Sequence, residues 1–147
     1  MPEKISVKAH ANRKEVLARF LKEVWTDGDA DAADRYVADC YTIHHDPGDP
    51  WEKRELDLAG YKERVRISRT PFPDQSFEVL AMFEDGDAVV VTWLWTGTHL
   101  GEIPGFPASG KVIRMSGATV YYFSGDRVTG HWQITDRLGV YRQLSGR

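Results

Sequence analysis

The chain of 147 residues has one cysteine, Cys40, so no disulfide can form within it, and it has no surplus of positive charge. Its 19 Lys and Arg stand against 22 Asp and Glu, a net charge of -3. Without a basic field, nucleic acid is not an expected partner, and acidic substrates are not favoured either. No apolar run approaches the roughly eighteen positions that a membrane-crossing helix requires, so no membrane association is expected. Met1 to Asn12 lacks the apolar segment of a secretory signal, and with the lone cysteine this points to a reducing cytoplasm. No H-x-x-x-H or C-x-x-C spacing marks a metal site, so none is expected. A G-x-S-x-G elbow, a G-x-G-x-x-G loop and a P-loop are also missing, which leaves acyl-enzyme hydrolysis and nucleotide chemistry without support.

What the sequence has is aromatic residues: five Trp, six Tyr and six Phe, 12% of the chain. Such side chains suit a compact core and also a cavity for a flat, hydrophobic small molecule. A chain of this length fits one domain, 1–147, and buries roughly two thirds of its unfolded surface, enough to wall a cavity without crosslinks.

Val16, Leu17, Phe20, Leu21 and Val24 recur with helical spacing, and this first helix should stop near Asp27-Gly28. Asp29 is placed to cap a shorter helix carrying Ala32, Ala33, Tyr36 and Val37, with Asp39 near its end. Cys40 to His45 reads as a strand with Tyr41, Ile43 and His45 on one face, broken by Pro47-Gly48-Asp49-Pro50. A third helix presents Leu58, Tyr61 and Val65 on one side, while Lys62, Glu63, Arg64, Arg66 and Arg69 read as a solvated face. After Phe72-Pro73-Asp74 come four strand-like runs: Ser76 to Phe83, Ala88 to Thr96, Val112 to Phe123 and Arg127 to Thr135. Asp85-Gly86 and Gly125-Asp126 turn adjacent antiparallel pairs. Gly97 to Gly110 is a long loop, of which Gly105 to Gly110 reads as a flexible rim over a pocket mouth, and a helical turn over Asp136 to Leu144 closes the chain.

Helices first and turn-linked strands afterwards indicate an α+β fold with a mainly antiparallel sheet. The run Ala88 to Thr96 is apolar on both faces, so the sheet needs two covers. Helices supply one and a second subunit the other, which predicts a homodimer or homotetramer.

Asp136 is the best acid/base candidate, because period-two alternation puts it on the side of Ile134 and Trp132 and an apolar setting raises a carboxyl pKa. It also stands where an Asp caps a following helix, and the two roles are compatible. Cys40 reads as a small packed hydrophobe. The side chains expected to contact a substrate are His45, Trp132, His99, Tyr36, Tyr122 and Trp93, whereas His44 must point away from His45.

Together, Asp39 to Pro47, Phe72-Pro73-Asp74, Gly97-Thr98-His99-Leu100-Gly101, Gly110-Lys111 and His131-Trp132-Gln133-Ile134-Thr135-Asp136 with Arg142-Gln143-Leu144 resemble the SnoaL-like polyketide cyclases and the related ester cyclase group. The resemblance spans nearly the whole chain. It implies the cone-shaped α+β barrel shared with nuclear transport factor two and ketosteroid isomerase, within the cystatin-like superfold. It also implies a cofactor-free intramolecular aldol ring closure or isomerisation with Asp136 as acid/base. Where the characterised cyclases use a histidine on the preceding strand, this chain has Thr119, Tyr121 and Tyr122. Two other readings stand beside it: an inert ligand-binding or dimerisation domain, and a limonene-type epoxide hydrolase. The latter needs two carboxylates about an arginine, for which Arg114 is the candidate.

Overall fold

The computed structural model describes residues 12–146; the stretch tested above for a secretory signal lies almost wholly outside them. Helix α1, Arg13–Phe20, begins at Asn12, whose side chain accepts from the backbone N–H groups of Lys14 and Glu15. It runs on as a π-helical segment, Leu21–Thr26. Leu17, Phe20, Leu21, Val24 and Trp25 are buried along it, the face that the apolar spacing predicts extended by one residue. Asp29 caps the next helix through Ala32 N–H, but this helix is a 3₁₀ segment confined to Ala30–Arg35. The chain turns extended at Val37, earlier than expected: β1 spans Val37–His45. The β-branched Val37 and Thr42 and the aromatic Tyr41 favour strand once the alanine run ends.

A short strand not foreseen from the sequence, β2 (Glu55–Asp57), pairs antiparallel with β1. Asp57 then caps helix α2, Leu58–Arg69, by accepting from Gly60 N–H at 2.7 Å. Strands β3 (Ser76–Asp85), β4 (Ala88–Thr98), β5 (Val112–Ser124) and β6 (Arg127–Thr135) follow the predicted runs, and helix α3 (Arg137–Ser145) ends the fold. The sheet order is β2-β1-β6-β5-β4-β3, antiparallel except for β1 beside β6.

The curved sheet has an inner and an outer face. Val89, Val91, Trp93 and Trp95 of β4 are buried and pack with Tyr121 and Phe123 of β5, Val128 of β6 and the helices. The alternate residues point outward, and Leu94, Ile134 and Trp132 are exposed. Gly117 makes close packing across the inner face possible, because a Cβ there would run into the indole of Trp93 and lie 2.9 Å from the Ile134 carbonyl oxygen. No helix of the described residues is long and apolar enough to cross a membrane.

Candidate active site

Between the inner face of the sheet and α2 lies a cavity of about 480 Å³. Trp25, Trp51, Tyr61, Phe72, Phe77 and Trp95 form its aromatic walls. Tyr41, Arg64, Tyr121, His131 and Gln133 bring polar groups to it, and Ile103 and Pro104 of the long loop and Arg137, Val140 and Tyr141 of α3 line it as well.

The polar groups converge because of a defect in the β1–β6 ladder. Ile43 lies opposite His131 and His45 opposite Trp132, so two steps along β1 match one step along β6. A bulge of this kind reverses the alternation beyond it. Tyr41 and Ile43 point inward, His45 is thrown to the outer face, and Asp46 returns to the interior with 1% of its surface exposed. There its Oδ2 lies 2.9 Å from His131 Nε2 and accepts from Gln133 Nε2 at 3.1 Å. Arg64 and Arg137 approach the same carboxylate at 3.5 and 3.7 Å. On the other side of the imidazole, Tyr41 Oη is 2.6 Å from His131 Nδ1.

Burial alone would raise the Asp46 pKa, but the hydrogen bond from His131 and the charges of His131, Arg64 and Arg137 outweigh it and hold the carboxyl below its ordinary value. Burial pushes His131 down, against the pull of Asp46, so the ring is neutral near pH 7. A neutral ring beside an ionised carboxylate has one consistent arrangement: Nε2–H donates to Asp46, and Nδ1 accepts from the Tyr41 hydroxyl. Burial raises the Tyr41, Tyr61 and Tyr121 phenols, Tyr61 to about 12, so all three are proton donors at neutral pH.

Arg64 is 6% exposed, where the sequence reading had it on a wet face. Its guanidinium carbon stands 5.3 Å from the Trp25 ring and 5.9 Å from the Trp51 ring, and it donates to Asp49 at 3.0 Å. Among the described residues its Nε has no hydrogen-bond partner, nor has Asp46 Oδ1, which Arg137 approaches at 3.7 Å. Arg64 lines the cavity, so its unpaired N–H is a place for a ligand oxygen to bind.

Neither Asp136 nor any of the side chains expected to contact a substrate lines this cavity. Asp136 is exposed and caps α3, its Oδ1 accepting from Gly139 N–H at 2.9 Å. Trp132 shares the outer face with Asp136, 39% exposed, and His45 stacks on it at 4.5 Å. Tyr122 also faces outward, with His44 packed edge-on at 5.2 Å. The period-two reading grouped Trp132, Ile134 and Asp136 on one side, as found, but took that side for the interior. Tyr36 is buried under α1 with its hydroxyl donating to Glu23, and Trp93 is buried with its indole N–H on Thr119. His99 is fully buried at the root of the long loop, stacked on Phe72 and 2.9 Å from Ser109 Oγ. Cys40 is exposed, with its thiol toward Glu55 rather than packed. Arg114 is exposed on β5 and its backbone is clamped by Gln143; Arg64 is the guanidinium between two carboxylates.

The missed residues left no usable signal in the alternation. Pairing β5 and β6 outward from Gly125-Asp126 would set Gly130 opposite Tyr121, and it is the irregularity between Tyr122 and Phe123 that brings His131 there and onto the inner face. Asp46 is hidden in the same way by the irregularity between Ile43 and His45. Among the described residues, no cluster of three or more His, Cys, Asp and Glu is arranged to hold a metal.

The family model for SnoaL-like polyketide cyclases matches residues 15–144. The chain belongs to the SnoaL-like polyketide cyclase family. A candidate polyketide cyclase from Acidithiobacillus ferrooxidans is 65% identical, with a TM-score of 0.88 over 91% of this chain and 94% of that one. IdmH, a candidate polyketide cyclase from Streptomyces antibioticus, is 24% identical, with a TM-score of 0.78 over 91% of this chain and 99% of its own. AclR from Streptomyces galilaeus, a candidate hydroxylase, is 20% identical, with a TM-score of 0.76 over 94% and 98%. At these last two identities the likeness is one of fold alone. No curated protein matches. The family membership and the six-stranded α+β architecture agree with the fold expected from the motifs.

Proposed function

We propose that the cavity carries out cofactor-independent acid/base chemistry of the polyketide cyclase type, an aldol-type ring closure or isomerisation of a hydrophobic carbonyl compound. The buried chain Tyr41–His131–Asp46, ending at the cavity wall, carries this reading. The acidic proton between two carbonyls passes to the Tyr41 oxygen while the Tyr41 hydroxyl proton passes to His131 Nδ1, so the high-pKa phenol never has to stand as a phenolate. Asp46 stabilises the imidazolium that results. The enolate, its charge met by Arg64, attacks the second carbonyl, and the proton returns along the same path to the new alkoxide.

A hydrophobic aromatic β-ketoester with a second carbonyl in reach should give a product of unchanged mass and new chromatographic retention. His131→Asn is expected to lower this turnover by roughly 10²–10⁴, the usual worth of a positioned acid/base group. Asp136→Asn is expected to stay within a few-fold, because Asn caps a helix as well as Asp does. Full activity in His131→Asn together with loss in Asp136→Asn would return the role to Asp136.

One observation favours a second reading. Arg64 stands between Asp46 and Asp49, two carboxylates about a guanidinium, the donor set that epoxide hydration of the limonene type requires. Incubation with limonene oxide separates the two, since hydration adds the mass of one water.

A further inference from the structure

We infer that Thr119 is a positioning residue for the site: it fixes the Gln133 side-chain amide so that the NH₂, and not the oxygen, meets Asp46. The inference rests on reading Asp46 and His131 as the proton-handling pair. Thr119 is fully buried on the inner face of β5 and does not line the cavity. Its hydroxyl oxygen accepts from the Trp93 indole N–H at 2.9 Å. An indole nitrogen can only donate, so the hydroxyl proton is left to point elsewhere, and the acceptor in reach is Gln133 Oε1 at 2.6 Å. With its oxygen held there, the amide presents Nε2 to Asp46 Oδ2 at 3.1 Å. The flipped amide would set a carbonyl oxygen against a buried carboxylate and leave the hydroxyl proton facing an NH₂ group. The indole at one end, which can only donate, and the ionised carboxylate at the other, which can only accept, fix the same direction for every bond between them.

The other groups facing Asp46 are His131 from β6, Arg64 from α2 and Arg137 from the start of α3, with Asp49 sharing Arg64 and Glu52 accepting from the Asp46 backbone N–H. None of them touches Thr119 through a hydrogen bond. Among the hydrogen bonds of the described residues, the route from Thr119 to Asp46 runs through Gln133.

The test is a ¹³C NMR titration of the Asp46 carboxyl in the free protein, which needs no substrate. Thr119→Val should raise the Asp46 midpoint by about half a pH unit or more, as expected when an ionised carboxylate loses a donor. Thr119→Ser should leave it at the wild-type value. Gln133→Leu should raise it alike, and Thr119→Val added to Gln133→Leu should move it no further. An unmoved midpoint in Thr119→Val, or the same rise with and without Gln133, overturns the inference. Thr119→Ala removes the same donor without a new methyl group, and serves if the valine variant does not fold. Failure here speaks only of Thr119, whereas failure of the proton-handling reading is seen in the turnover of His131→Asn.

Discussion

At position 64 a buried guanidinium lies between two indole rings and two carboxylates, of which Asp46 is buried and Asp49 partly so. Without it Asp46 would keep His131, Gln133 and the more distant Arg137, while Asp49 would lose the cation that pairs with it. Replacing Arg64 by Met should therefore cost about 3–5 kcal/mol in urea unfolding at pH 7, the usual penalty for breaking a buried ion pair from one side. Arg64→Lys keeps the charge but not the flat, forked donor, and should recover only part of that loss. The titration of the pair sets a second expectation. His131 is held below its ordinary 6.5, so the unfolded chain binds the proton first and stability falls as the pH drops below about 6.5. Asp46, held below its ordinary 3.8, adds a further loss as the pH falls through its lowered value. Thermal unfolding between pH 8 and 3 should show a Tm that declines in both stages, and in His131→Asn the upper stage should shrink.

The strand and helix elements were largely legible as soon as apolar spacing was compared with helical and extended periods; the inner face of the sheet was not. Val89, Val91, Trp93 and Trp95 announce one side of β4 by size, yet the companion side of β6 is set by register, which depends on the turn at Gly125-Asp126 and on the irregularity between Tyr122 and Phe123. Because the period is two, a single slip exchanges the faces. That exchange is why Trp132 and Asp136 read as interior while His131 and Gln133 hold the cavity. The bulge near His45 has the same effect on β1, swapping His45 for Asp46. Helix α2 hid Arg64 for another reason: three neighbouring basic residues are more exposed, and charge alone does not distinguish the one that turns toward the cavity. Gly117 offers a check on the packing between β4 and β6. Gly117→Ala should destabilise the fold by about 1–3 kcal/mol in denaturant unfolding, because the added methyl meets Trp93 on one side and backbone on the other.

On the scale of the whole molecule, the fold wraps an aromatic cavity and leaves an outer sheet face with Leu94, Trp132 and Ile134 exposed. A second copy is the expected cover for that face, as the two-sided apolar character of β4 suggests. Sedimentation at micromolar concentration should find a dimer or tetramer, and Ile134→Lys should shift it toward monomer; a monomeric wild type contradicts the expectation. The same architecture is shared with proteins ascribed both to cyclisation and to hydroxylation, so the reaction has to be argued from the side chains in the cavity. The most direct test follows the proton itself. In D₂O, exchange of the acidic C–H of an aryl β-ketoester isolates proton removal from ring closure. Wild type and Asp136→Asn should accelerate it alike, and His131→Asn and Tyr41→Phe should lose roughly a hundredfold or more of that acceleration. Exchange that is unchanged in His131→Asn and abolished in Asp136→Asn would contradict the account.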